Sequence, residues 1–443
     1  MEILEKALQM LTEHPLCDHC LGRQFALLGY GEENENRGRA IKLLLTMKGH
    51  SLLLTKDKKG VTLLKTVATN GAFDMARGIL KRFKKRVPNK QPCFLCGGKF
   101  ENIENLVEKA AKKLESYEFA TFLVGVELPL EVAEREDEFK AHFVASYGES
   151  MKSQLSRDVG KRLSEATSKE VDFKAPDVVV LVNPFTANVK LQINPLYIAG
   201  RYRKLVRGIP QSRWFCKECG GKGCSSCSGT GRRYQESVEE LVGIPILKLA
   251  KGKEIALHGS GREDIDARML GSGRPFVLEV KEPKKRFLDL KHVERAINER
   301  AKGKVEVRNL CFADKNVVRR LKKAEAAEKI YRAVVEFDRD ISDEELETIE
   351  KTLSNVTISQ QTPRRVIHRR ADLTREKHIY EAKVKRLLPN RVEIRIRCQG
   401  GLYIKELVTG DEGRTNPSVA SILNAKVTPI QLDVLNVKTG ENG

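Results

Sequence analysis

His258–Val280 reads HGSGREDIDARMLGSGRPFVLEV: two glycine-rich turns bracket an acidic and basic core, and a strand-like run follows. A dinucleotide loop would need G-x-G-x-x-G after a strand, opening a helix. Here Asp264 stands where the third glycine belongs, and a carboxylate there would face a pyrophosphate. The stretch fits better as a loop presenting a carboxylate for chemistry. Arg262 lies two residues before Asp264 and Arg268 four after, and a nearby cation keeps a carboxylate ionised. In a dry pocket such a carboxylate can attack an electrophilic carbon or take a proton. Arg–Asp pairs are also often purely structural, and Asp266 is a rival acid two residues on, so spacing alone leaves the assignment open.

The rest of the chain says what the substrate carries. Its 443 residues hold 80 Lys plus Arg against 60 Asp plus Glu, a net charge of +20. That surplus points to a polyanionic partner, most simply nucleic acid. An apolar fraction of 40% is enough for a sizeable core. No apolar run approaches the ~20 residues of a membrane span. The start, MEILEKALQMLTEHPL, is amphipathic and carries acids, so no secretory signal is expected and the protein is placed in the cytoplasm. Fibrous, membrane and disulfide-scaffold classes are excluded.

Eight of the ten cysteines form four C-x-x-C pairs: Cys17/Cys20, Cys93/Cys96, Cys216/Cys219 and Cys224/Cys227. Two such turns supply the four thiolates of a tetrahedral zinc, so one or two structural zinc ions are expected rather than disulfides. The second group, CKECGGKGCSSCSGTG, resembles half of the cysteine-rich module of DnaJ-type chaperones. His19 reads as solvated within its knuckle, and Cys311 and Cys398 as small buried hydrophobes. Beyond the knuckles, Ile103–Tyr117 has a helical period, Phe119–Leu128 is strand-like and Phe139–Ala166 is a long polar helical region. The texture changes near residue 235, the expected boundary between an accessory region (1–235) and a catalytic region (236–443).

G-R-E-D at Gly261–Asp264 resembles the catalytic loop of pseudouridine synthases, and GREDIDARMLGSGRPF resembles the archaeal and eukaryotic branch that modifies tRNA T-arm positions 54 and 55. EKIYRA (Glu328–Ala333) is similar to that family's second motif, and CQGGLYIKELVTGDEGRTNPS (Cys398–Ser418) to its third. The N-terminal knuckles and the α/β segment after them (about 50–200) resemble the branch's accessory part with a THUMP-like domain.

The resemblance implies an α+β protein: a zinc-knuckle and THUMP-like RNA-binding part, then a catalytic domain with a mixed, mostly antiparallel sheet. It implies isomerisation of uridine in tRNA without cofactor. Asp264 would be catalytic, Lys405 its counter-ion, Tyr331 would stack on the flipped base, and Leu407 would pack under the uracil. Tyr403 and Arg262 are further substrate contacts; Tyr403, Lys405 and Leu407 alternate on one strand or early-helix face. Lys284, Lys285 and Arg286, with Arg364, Arg365, Arg369 and Arg370 in a protruding hairpin or loop, would line an RNA groove. The partner is tRNA, with no membrane and no small-molecule cofactor; a monomer is expected. The competing classes are a non-catalytic tRNA-binding or tRNA-chaperone protein and a THUMP-containing methyltransferase or thiolation enzyme. The latter lacks its Gly-rich cofactor loop or P-loop here.

Overall fold

The computed structural model describes residues 3–87, 89–323 and 327–438, with backbone alone at Arg369 and Ile430. It divides into two units between Asn194 and Pro195, not near residue 235. The strand Leu196–Lys204 pairs with two strands of the second unit's sheet. The second cysteine group is thus an insertion within that unit, and the change of texture at 235 marks the end of the insertion.

In the first unit the helices Ile3–Glu13, Asp18–Arg23, Asn34–Leu54, Lys58–Thr69 and Asp74–Arg82 precede a four-stranded sheet. Its strands are β1 (Thr121–Val126), β2 (Glu170–Val171), β3 (Val178–Asn183) and β4 (Asn188–Ile193), in the order β2-β1-β3-β4. Period-2 alternation buries Phe122, Val124 and Val126 on one face of β1. The region read as one long helix is two, Leu130–His142 and Met151–Thr167. Ser150 caps the second by accepting from the Ser153 N–H. The first cysteine turn is seated by a close helix crossing: a Cβ on Gly22 would lie 1.8 Å from the Asn34 carbonyl oxygen.

The second unit is built on a mixed, mostly antiparallel sheet, with ten strands among the described residues. They are β5 (Leu196–Lys204), β6 (Glu254–Gly259), β7 (Ala267–Lys281), β8 (Val305–Ala313), β9 (Lys329–Phe337), β10 (Val356–Gln361), β11 (Thr374–Leu388), β12 (Arg391–Cys398), β13 (Thr415–Asn416) and β14 (Val427–Val437). The order is β13-β10-β11-β12-β9-β14-β7-β5-β8, with β6 added against β7. Leu432–Val434 of β14 run parallel to Ala267–Met269 of β7, whereas β9 pairs antiparallel with β14. Two apolar cores result. One holds the helices Val238–Ala250 and Leu290–Ala301 against β5 and β7; the other holds Asp343–Leu353 and Ile404–Thr409 against β9, β11 and β12. Tyr331 packs against both cores.

The β7–β14–β9 seam is pinned by one carboxylate. Asp433, 1% exposed, takes ion pairs from Arg207 at 2.7 Å, Arg268 at 2.9 Å and Arg332. Burial would raise its pKa, but Arg268 and Arg332 outweigh it and hold the carboxyl at about 2. Arg268 therefore serves Asp433, not Asp264. Of the two remaining cysteines, Cys398 is buried as expected, whereas Cys311 is exposed.

Candidate active site and metal centres

The loop between β6 and β7 owes its shape to three residues within four positions, each with a different task. Gly261 adopts φ +75°, a left-handed conformation that glycine takes without strain. Glu263 turns inward and is 6% exposed. Its carboxylate accepts from the Tyr202 hydroxyl at 2.9 Å and from Arg274 Nε at 2.8 Å, and Arg274 also donates to the Ser260 carbonyl at 2.6 Å. Asp264 points the other way, into a cleft.

A buried lysine completes the anchorage. Lys204 Nζ donates to the carbonyls of Ile209 (2.9 Å), Asp264 (3.0 Å) and Ile265 (3.1 Å). Burial pushes its pKa down to about 8 against the pull of Glu263. Arg207 adds a bond to the Asp266 carbonyl at 2.8 Å. Lys204→Met is expected to lower kcat roughly 10²-fold with little change in KM, because a misplacement near 1 Å costs about that much. Lys204→Arg should recover part of the loss. Single-turnover kinetics with unchanged kcat would remove the anchoring role.

The cleft, about 410 Å³, is lined by Gly261–Asp264, Lys329, Tyr331, Arg370, Arg375, Lys377, Gly400–Lys405, Leu432 and Val434. Two cations meet Asp264. Arg365 lies 3.2 Å and Lys405 3.5 Å from its carboxylate. Lys405 sits closer to Asp266, at 2.7 Å. Burial would raise the Asp266 pKa, but the Lys405 hydrogen bond wins and lowers it. Burial pushes the Tyr331 hydroxyl well above its ordinary value, so it stays protonated at neutral pH.

Several residues fall elsewhere than their sequence neighbourhood suggests. Arg364–Arg369 form a 3-10 turn in the β10–β11 hairpin loop, but Arg365 folds inward, pairing with Glu406 at 2.6 Å as well as with Asp264. Arg364 meets Glu412, and Arg370 donates to the Tyr403 hydroxyl at 3.0 Å. The Arg369 side chain lies outside the described residues. Arg286 is buried, so it cannot reach an RNA backbone. Lys284 and Lys285 are exposed, but beyond the opposite end of β7 from Asp264. Arg262 is exposed and lines the cleft. Leu407 is fully buried in the core and is not among the cleft-lining residues, whereas Ile404 and Leu432 are. Sequence reading missed both; the alternation of Leu432 and Val434 on β14 was the available signal. Glu406 was missed as well, being a buried acid within a helix.

The cysteine groups form as the spacing predicts. Cys17, Cys20, Cys93 and Cys96 make one quartet and Cys216, Cys219, Cys224 and Cys227 the other, with the sulfurs of each within 4.8 Å of one another. A tetrahedral tetrathiolate zinc with ~2.3 Å bonds needs sulfurs about 3.8 Å apart. Here Cys17–Cys96 are 3.6 Å apart and Cys216–Cys224 3.8 Å. Both donor sets therefore fit structural zinc. Arg23, fully buried, donates to Cys20 Sγ at 3.4 Å and pairs with Glu136, supplying a cation beside the thiolates. His19 is half-buried, stacking on Phe100 with 4.5 Å between ring centroids, and stands outside the quartet. Elemental analysis of purified protein should find two zinc ions per chain. Chelation should unfold the knuckles, since structural zinc contributes ~10–16 kcal/mol of apparent binding energy.

A carboxylate between two cations, on a pinned loop over a basic cleft with an apolar floor, defines a protein that can perform acid–base or nucleophilic chemistry on a polyanion. The family model "Pus10, C-terminal" matches residues 197–438, and "Pus10 THUMP domain, archaeal" matches 106–183. The tRNA pseudouridine synthase Pus10 of Methanocaldococcus jannaschii is 45% identical over 99% of this chain and 94% of its own length. Those of Methanothrix thermoacetophila (41%, 98% of this chain, 94% of its own) and Pyrococcus furiosus (40%, 98% of each) are similarly related. The chain belongs to the Pus10 family.

Proposed function

We propose that this protein isomerises uridine to pseudouridine in the T-arm of tRNA, at position 54, 55 or both, with Asp264 as the acting carboxylate. The observation that carries the reading is Asp264 itself, held on the pinned loop at the cleft between Lys405 and Arg365. The reaction breaks the bond from ribose C1′ to uracil N1 and forms one from C1′ to C5. N1 gains a proton and C5 loses one, so atoms balance with no co-reactant. A carboxylate with two cations beside it can act on the sugar.

The target base has to leave its stack to reach the cleft, at a few kcal/mol. Tyr331 offers a ring for it, and Ile404, Leu432 and Val434 an apolar floor. Tyr331 holds its proton, so it serves as donor and stacking face rather than base. Arg262, Arg370, Arg375 and Lys377 at the cleft suit phosphate contacts. Arg365 engages both Asp264 oxygens, so substrate entry requires it to yield, and an incoming phosphate competes for its guanidinium.

Carbodiimide primer extension across the T-arm of an unmodified tRNA transcript, after incubation with protein and no additive, tests the reading. Stops at 54 or 55 are expected. A transcript bound tightly but unmodified would move the function to tRNA binding without chemistry.

A further inference from the structure

The neck below the second cysteine group holds aromatic and basic side chains that the cleft does not use. It is closed by an antiparallel bridge, Phe215 to Arg232, and by the Arg233 N–H donating to the Trp214 carbonyl. Arg213 stacks over Phe215 at 4.8 Å from the ring centroid. Arg233 stacks over Trp214 at 5.4 Å and Tyr234 at 5.7 Å, and those two rings meet edge-on. Phe215 is 52% exposed. Arg213, Arg233, Lys217 and Lys222 are exposed as well. None of these residues lines the Asp264 cleft.

Rings that served only as a miniature core would be buried, as Phe100 and Phe276 are. From Arg213 to Tyr234 there are five basic residues and one acid, Glu218, which is engaged by Ser226; among the five, Arg232 is paired with Glu240. A tetrathiolate zinc would carry a formal charge of −2, and the segment stays positive with it. Guanidinium planes over half-open rings present stacking faces beside phosphate donors, the combination that takes unpaired nucleotides without regard to sequence.

We propose that this neck is a second RNA-contact surface, which binds an unpaired stretch of RNA by stacking on Phe215 and Trp214 with Arg213 and Arg233 on the phosphates. The inference deepens the RNA-substrate reading above, but its test needs no turnover. Trp214 is the chain's single tryptophan, so its fluorescence reports on the neck alone. Titration of the full-length protein with a uridine 12-mer is expected to quench Trp214 saturably, and a blunt RNA duplex of equal length to do so at least tenfold more weakly. Phe215→Ala should weaken the 12-mer about tenfold or more, the effect of losing one stack. Because its ring packs on Gly221, the double variant Arg213→Gln/Arg233→Gln serves as a second test and should do likewise. Both should retain zinc and unchanged turnover on an isolated T-arm hairpin. Absence of quenching, equal quenching by duplex, or affinity unchanged in the double variant overturns the proposal. A protein that binds the 12-mer through Trp214 but never modifies tRNA would sink the synthase reading and leave this surface standing.

Discussion

Asp264→Ala is expected to lower turnover on tRNA by about 10⁴-fold or more, the scale of removing a residue that acts directly on the reacting bond. Affinity for tRNA should stay within about threefold, because the cations that would hold phosphate remain. Asp264→Asn should be nearly as inactive, since the amide keeps the shape and loses the charge. Arg365 still has Glu406 as a partner at 2.6 Å, so the hairpin loop remains seated in the variant. Asp266 tests the assignment from the other side. It is 67% exposed and holds Lys405 at 2.7 Å, so Asp266→Asn should loosen Lys405 and cost far less. Single-turnover rates for the two variants decide the matter. Near-wild-type turnover in Asp264→Ala, with collapse in Asp266→Asn, would transfer the role.

The second large effect concerns stability. Asp433→Ala removes the carboxylate shared by Arg207, Arg268 and Arg332, leaving Arg332 only its longer pair with Glu393 at 3.8 Å. Breaking a buried ion pair from one side costs roughly 3–5 kcal/mol. At about 2–4 °C per kcal/mol for a unit of this size, Tm should fall by about 6–20 °C. The pH dependence follows from the same group. Its folded pKa, about 2, lies below the roughly 3.9 of a free aspartate. Its contribution is therefore complete above about pH 4 and is lost as pH falls through 2. Acid unfolding followed by circular dichroism should show the wild type losing this increment between pH 4 and 2, and Asp433→Ala lacking it. A Tm within 2 °C of wild type would show that the three arginines are satisfied without Asp433.

The residues around Asp264 show how local pattern and tertiary structure divide the work. Gly261, Glu263 and Asp264 are consecutive enough for their string to be read as a loop presenting a carboxylate. Which carboxylate faces inward was not legible, because Glu263 is turned in by Tyr202 and Arg274, 61 and 11 residues away. The face at Tyr403–Leu407 depends on which of two elements forms there. As a strand, residues 403, 405 and 407 would share a side. The chain instead starts a helix at Ile404, where Lys405 and Leu407 lie about 200° apart. Lys405 therefore reaches the cleft while Leu407 enters the core, and Ile404 takes the place on the cleft floor.

Arg365 and Arg286 were grouped with phosphate-binding arginines because a run of like charges reads as a solvated or RNA-facing surface. Arg365 finds Asp264 and Glu406, 101 and 41 residues away, and Arg286 is buried. Charge pattern records how many cations a segment carries, not which acids the fold brings to them.

What the sequence determined by itself was short-range: the four C-x-x-C turns, the β alternation, and the glycine-framed loop ending in Asp264. Each rests on backbone conformation or ligand geometry within a few residues. The tertiary structure decided the unit boundary at Asn194, the pairing of Asp264 with Arg365 and Lys405, the clamp of Lys204 on the loop, and the Asp433 hub. The last three join residues 60 or more positions apart. The energy of a buried charge depends on partners that strand order, not sequence distance, brings within reach.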